Sequence, residues 1–301
     1  KTPPLAVIRL NVALKATRTG RWLAGLLGRV GGEAGTPKTW GGMEMFLHQQ
    51  VRRDDPRMAR VYSHFQHNLR DIVDLGRSSG AKVVVGTVAA NLRDFAPFAS
   101  LHREGISDAD LAAWKEDYDA GVAAQATNDF TRALGCYDRA AQRDSEYADL
   151  AYRRGHCLLV LGKKEEAKAA FEAALERDAL RFRPDARINE IVRQEAARKP
   201  DGVLLADAAG ALAAQARDGL TGDDLLYEHV HPTFEGNYWI GRALAEKVAS
   251  ALDNLPPGKD WLSLAECEER LALTAWDRFQ AVEIMVKRMQ EPPFTQQSDW
   301  A

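Results

Sequence analysis

The chain has 301 residues, enough for one large domain or two smaller ones. Its 46% hydrophobic and 28% charged residues are ordinary for a globular protein. The net charge of −3 gives no basis for binding nucleic acid. Cys136, Cys157 and Cys267 are too few and too scattered for a disulfide framework or a zinc site. Cys136 and Cys157 fall on apolar helix positions and read as buried structural thiols. No apolar run reaches the ~18 residues that span a bilayer, and no signal peptide is visible.

Residues 1–30 carry Lys1, Arg9, Lys15, Arg18, Arg21 and Arg29 and no acid. With Leu5, Ile8, Val12, Leu23, Leu26 and Leu27 they read as basic amphipathic helix. Such a helix suits a membrane surface or packs on its own domain. A longer helix comes next, with Val61, Phe65, Leu69, Ile72 and Leu75 as its apolar face. Ser78-Ser79-Gly80 ends it. Residues 81–88, Ala-Lys-Val-Val-Val-Gly-Thr-Val, form a short β-branched strand. Asn91-Leu92-Arg93-Asp94 is a polar loop after it. Asn91 and Arg93 are candidates to bind a polar or anionic group there; an Arg–Asp pair and loop capping are the other reading.

Gly121, Ala133, Tyr137, Ala140 and Asp144 recur 34 residues later as Gly155, Ala167, Phe171, Ala174 and Asp178. That period is the tetratricopeptide signature. Gly and Ala let two antiparallel helices approach closely, and the aromatic docks one helix against its neighbour. Asn128-Asp129 and Gly162-Lys163 supply the turns. The expected helices run over about 108–126, 130–143, 147–161 and 164–178. Two repeats are too few for a free-standing solenoid, so they pack on a host. They offer a groove to a protein partner, or serve as a lid or spacer.

After the repeats, 184–198 reads as helix, 202–207 as a second apolar strand, 208–217 as helix and 235–252 as a closing helix. Helix–strand–insert–helix–strand–helix implies parallel strands covered on both faces. Ligands in such sheets bind at the carboxyl ends of the strands. Thr87 and the loop with Asn91 lie on that edge; Ser78 and Ser79 lie on the other. Residues 261–290 form a further amphipathic helical region with Leu264, Leu271, Leu273, Trp276, Phe279, Ile284 and Met285, stopped by Pro292-Pro293.

The densest chemistry is in Asp223-Asp224-Leu225-Leu226-Tyr227-Glu228-His229-Val230-His231-Pro232-Thr233-Phe234-Glu235-Gly236-Asn237. A carboxylate three residues before a histidine, then Pro, then a helix start, suits an acid–histidine pair on a loop. Glu228 would fix the tautomer of His231, which would act as a general base. His229 competes for the base and Asp224 for the acid; a loop histidine with a solvated Glu228 is the plain alternative. His64-x-x-His67 has one helical turn between its histidines but no third ligand, so no metal is expected. No Gly-x-Ser-x-Gly, phosphate loop or dinucleotide fingerprint occurs, so no cofactor is expected either.

This block resembles the last sequence block of SGNH/GDSL-type hydrolases, usually Asp-x-x-His-Pro. Together with residues 40–46 (Trp-Gly-Gly-Met-Glu-Met-Phe), Thr87 through His102, residues 181–185 (Arg-Phe-Arg-Pro-Asp) and the repeats, the chain is similar to a bacterial SGNH/GDSL-like hydrolase carrying a tetratricopeptide insert. The resemblance implies an α/β fold, a flavodoxin-like parallel-sheet sandwich that is incomplete here and interrupted by the all-α insert. Its parts would be residues 1–104 and 181–255 for the α/β body, 105–180 for the insert and 256–301 for a helical extension. It also implies ester chemistry through a Ser–His–acid triad, on an acyl ester of a carbohydrate or lipid. The nucleophile block (Gly-Asp-Ser or Gly-Glu-Ser) and the Asn-bearing oxyanion block of that family are not in this sequence. They are expected ahead of Lys1-Thr2-Pro3-Pro4, with a membrane anchor. Only His231 and Glu228 carry over, with Glu one methylene longer than the usual Asp. The alternative is a non-catalytic repeat scaffold that binds a protein partner.

Overall fold

The computed structural model describes residues 5–30, 42–252 and 261–299. Lys1–Pro4, Trp40, Gly41 and the expected boundary at 255/256 lie outside the described residues. The chain divides into two compact units, Lys1–Met45 and Phe46–Ala301. In the first, the basic segment forms two helices, α1 (Leu5–Ala16) and α2 (Arg18–Val30). Thr17 separates them: its hydroxyl donates to the Leu14 carbonyl (2.8 Å) and accepts from Gly20 N–H (3.0 Å), ending one helix and capping the next. No helix among the described residues is long and apolar enough to cross a membrane.

The second unit carries α3 (Pro56–Ser78), β1 (Val83–Gly86), the four repeat helices, α8 (Ala186–Arg198), β2 (Val203–Ala206), α9 (Ala208–Gln215) and α10 (Phe234–Ala251). The repeat helices are α4 (Asp108–Ala126), α5 (Phe130–Arg143), α6 (Ala148–Val160) and α7 (Lys164–Arg177); α11 (Leu264–Arg270) and α12 (Ala275–Met289) come after α10. The strands pair in parallel, Val83 against Val203 through Gly86 against Ala206. Val83, Val85, Val203 and Leu205 pack with Val73 of α3 and Ala196 of α8. Gly86 turns the other way, toward Leu244 of α10. Successive side chains of a strand point to opposite faces, so each strand is used on both.

The flavodoxin-like sandwich is overturned. Among the described residues there are twelve α-helices and only two four-residue strands, too few to make a sheet layer. Only the Val83 and Val203 runs combine apolar and β-branched residues between turn signals. The remaining apolar stretches are interleaved with Ala, Glu, Lys, Arg and Gln, which favour helix.

The face of α3 also differs from its hydrophobic pattern. Val61, Ile72 and Leu75 are exposed, while Met58 and Val73 are buried. The face turned inward sets polar contacts beside Met58, Leu69 and Val73. Tyr62 bonds Asp185, and Gln66 and Arg70 bond Glu195 at 3.0 and 2.7 Å. Arg198 reaches the same carboxylate at 2.8 Å. These donors, Arg70 foremost, hold the Glu195 carboxyl down at about 2.

The repeats adopt the expected packing. Ala133, Tyr137 and Ala140 and their counterparts Ala167, Phe171 and Ala174 are all buried. A Cβ on Gly121 would fall 2.5 Å from the Tyr137 ring, and one on Gly155 would fall 2.8 Å from Phe171. Only glycine permits these crossings. Cys136 and Cys157 are buried free thiols. The repeats sit on residues 98–103 of the loop after β1. Asp178 accepts from Phe98 N–H (3.0 Å) and Ala99 N–H (3.2 Å), and Asp144 accepts from Arg103 N–H (3.1 Å). Asp144 also holds His102 Nδ1 at 2.8 Å.

Candidate functional site

The site is a loop on the carboxyl side of the two strands. Thr87 ends β1 and donates to Asp207 at 2.7 Å; Asp207 in turn caps α9. The chain beyond Thr87 meets the 221–233 loop through backbone bonds. Asn91 N–H donates to the His229 carbonyl (2.9 Å), and Leu92 N–H to the Thr221 carbonyl (2.9 Å). The loop closes on itself: Tyr227 N–H donates to the His231 carbonyl (2.8 Å) and Thr233 N–H to the Leu225 carbonyl (2.9 Å). Thr233 then caps α10 by accepting from Gly236 N–H at 3.1 Å.

Glu228 lies at the centre of this small loop, with 1% of its surface exposed. Its carboxylate accepts the backbone N–H of His229 (2.8 Å) and of His231 (2.9 Å). Both imidazoles lie against it as well, His231 Nδ1 at Oε1 and His229 Nδ1 at Oε2. A carboxylate at Nδ1 keeps the proton there and leaves Nε2 as the basic nitrogen.

The two histidines have different surroundings. The His231 side chain is 45% exposed. Burial, and then the charge of Arg288, push its pKa below the ordinary value. His229 is buried among Phe95, Phe98 and Phe294, with ring centroids 5.6, 5.2 and 5.6 Å away. Burial, with Arg183, His231 and Arg288 nearby, pushes it down to about 3. It stays neutral and enclosed.

Asn91 and Arg93 are near the loop but face inward. Asn91 is buried, and its side-chain oxygen accepts Asp94 N–H at 2.9 Å. Arg93 is buried and bonds Asp94 (2.9 Å), Asp224 (2.8 Å), Asp223 (3.2 Å) and the Arg217 carbonyl (2.9 Å). Asn91 orders the 91–94 turn, and Arg93 is consumed in holding 90–94 to 217–224. Asp224 is bound to Arg93 and to Arg217 N–H (2.8 Å), so it is not the acid of the pair. Ser78 and Ser79 cap the end of α3 by donating to the Leu75 and Gly76 carbonyls. His64 and His67 are exposed on α3.

Two groups bring metal-type donor atoms within 4.8 Å of one another: Glu228, His229 and His231, and Asp94, Asp223 and Asp224. Arginine charge already sits at each, Arg288 at the first and Arg93 at the second. Among the described residues no hydroxyl or thiol is hydrogen-bonded to His231. Arg288 Nη1 lies against its ring instead, 3.2 Å from Nε2 and 3.5 Å from Nδ1.

Arg288 and Phe294 are the neighbours that sequence reasoning missed. They lie more than fifty residues beyond His231, in a segment legible only as amphipathic helix and a proline stop. The Phe95/Phe98 cage was open to view only as apolar letters in a polar loop. No protein-family model, no curated protein and no solved structure matches this chain.

Proposed function

We propose that His231 is the general base, and Glu228 the orienting acid, of an ester-cleaving or acyl-transferring site. The observation that carries this is the pairing itself. A fully buried carboxylate holds Nδ1 of a half-exposed imidazole whose pKa burial and Arg288 push down. Nε2 can take a proton from a nucleophile, and the buried carboxylate offsets the charge that then forms on the ring. A serine outside the described residues supplies the nucleophile in this reading. The substrate is an acyl ester of a carbohydrate or lipid.

The test uses the full-length gene product, with p-nitrophenyl acetate as substrate and a fluorophosphonate as serine probe. The expected result is labelling of one serine and turnover that falls by at least ~100-fold in His231→Ala with an unchanged melting temperature. Turnover that survives in a folded His231→Ala protein sinks the assignment.

A second reading draws on the repeats. Helices α5, α6 and α7 line a cavity of about 370 Å³ that includes Ala141, Ser145, Arg154, Glu166, Ala170 and Arg177. This groove suits a peptide, and in that reading the chain is a binding module without chemistry. Fluorophosphonate labelling separates the two.

A further inference from the structure

We propose that residues 288–299 are a strap that ties the repeat insert to the His231 loop and covers the His231 ring. The proposal rests on the reading of His231 as a base. It starts from how α11 and α12 are held. Neither helix has a buried residue, and Trp276, Phe279, Val282, Ile284 and Val286 of α12 are exposed. Helix packing alone therefore does little to fix Arg288, near the end of α12. The next turn of chain is held firmly. Pro293 and Phe294 are buried, and the Phe294 ring fills the cage with Phe95, Phe98 and His229 at 6.0, 5.3 and 5.6 Å.

Beyond Phe294 the chain crosses to the repeats. Gln297 donates its amide N–H to the Ala96 carbonyl at 2.6 Å. Ser298 donates its hydroxyl to Asp149, and its carbonyl accepts from Arg153 Nη2 at 3.4 Å. Tyr152 donates its hydroxyl to Asp299 at 3.3 Å. Asp149, Tyr152 and Arg153 are all on α6. Ser298 and Asp299 thus rest on α6, and the same segment carries Arg288 to the His231 ring.

The consequence for a base is direct. A guanidinium nitrogen held against the ring, 3.2 Å from Nε2 and 3.5 Å from Nδ1, stands in the way of a nucleophile that would approach the imidazole. The contact comes from one exposed side chain, so it opens readily. An extended peptide that displaces Ser298 and Asp299 from α6 would loosen the strap. The repeats and the His231 loop are coupled through it.

The experiment is carbethoxylation by diethyl pyrocarbonate, read residue by residue by peptide mass spectrometry, on the full chain and on Arg288→Gln and Phe294→Ala. At about pH 8 an ordinary or lowered histidine is neutral, so the rate reports access to nitrogen and not charge. Arg288→Gln is expected to speed modification of His231 about fivefold, the weight of one polar contact, and to leave His229 protected. Phe294→Ala is expected to speed both. Arg288→Gln keeps every buried contact, so it stays informative should Phe294→Ala fail to fold. An unchanged His231 rate in folded Arg288→Gln overturns the strap. Faster modification supports it even where His231→Ala leaves ester turnover intact, a result that would remove only the base reading.

Discussion

Asp144 and Asp178, thirty-four positions apart in successive repeats, accept N–H groups from the same short stretch of chain, Arg103 for one and Phe98 and Ala99 for the other. The repeated aspartate is therefore the clamp by which a two-repeat insert, too short to bury its own face, is seated on a host. Asp178 goes further and pairs with buried Arg183 at 3.0 Å, which also donates to the Asn91 and Phe95 carbonyls at 2.8 and 2.9 Å. Through Arg183 the clamp reaches the segment that carries the phenylalanine cage. Asp178→Ala leaves the buried guanidinium without its counter-charge and the Phe98 and Ala99 N–H groups without their acceptor, and should cost about 3 kcal/mol. Asp144→Ala should cost less, since His102 beside it is partly exposed. Urea melts of both variants check the order; equal losses would count against the arginine's part.

The glycines of the repeats give a sharper steric prediction. A methyl on Gly155 must displace the buried Phe171 ring, which meets Tyr152 and Ala170 in the same cluster. Gly155→Ala should therefore destabilise the protein by about 2 kcal/mol, although alanine is the better helix former. Gly135→Ala, where nothing lies within 4 Å of the new Cβ, should stabilise by a few tenths. Opposite signs in a thermal melt are the expected outcome. The same sign for both would mean that propensity, not the ring contact, dominates.

The contrast between repeats and sheet shows what patterning conveys. The four repeat helices were legible to within a residue at each end, because Gly121, Ala133 and Tyr137 recur with a period that only one packing satisfies. The two strands were legible as well, but the sandwich built on them came from resemblance, and residues of ordinary helix propensity do not supply further strands. On α3, hydrophobic periodicity pointed to Val61, Phe65, Leu69, Ile72 and Leu75; Leu69 does pack with Val73 against the strands, but Val61, Ile72 and Leu75 are exposed, and Tyr62, Gln66 and Arg70 add polar contacts to Asp185 and Glu195. Polar pairs of this kind leave no periodic trace. At the site, Glu228 and His231 were legible because three residues fix their distance. Arg288 and Phe294 were not, because tertiary contact alone brings them there. Asn91 and Arg93 stood out as polar loop residues, and only the fold shows that Asp94, Asp223 and Asp224 consume them.

His229 predicts a pH dependence of stability. Its folded pKa is pushed down to about 3, while an unfolded histidine titrates near 6.5. Between those values the unfolded chain binds a proton that the folded chain refuses. Stability from this group is thus fully present above about pH 6.5 and is lost as pH falls toward 3. His231, lowered as well, adds in the same direction. His229→Asn keeps a side-chain N–H for Glu228 and removes the titration. The melting temperature of the variant should fall less steeply between pH 7 and pH 4 than that of the parent. Parallel slopes would show that other groups govern acid unfolding.

The assignment of the acid is testable apart from any turnover. Glu228 meets His231 through both the backbone N–H and Nδ1, whereas Asp224 is bound to Arg93 and Arg217 N–H. Replacing Glu228 with Gln puts an amide where two N–H groups and two rings converge, so one donor must face another. A loss of about 2 kcal/mol is expected, together with a loosened His231 ring. Asp224→Asn should weaken the Arg93 cluster and leave the His231 titration where it is. Nitrogen-15 histidine spectra recorded across pH read the tautomer and the titration at once. In the parent His231 should be the Nδ1–H tautomer. In Glu228→Gln that preference should relax toward the Nε2–H form common in free histidine, and in Asp224→Asn it should persist. A tautomer that responds to Asp224 and ignores Glu228 would transfer the orienting role to the aspartate.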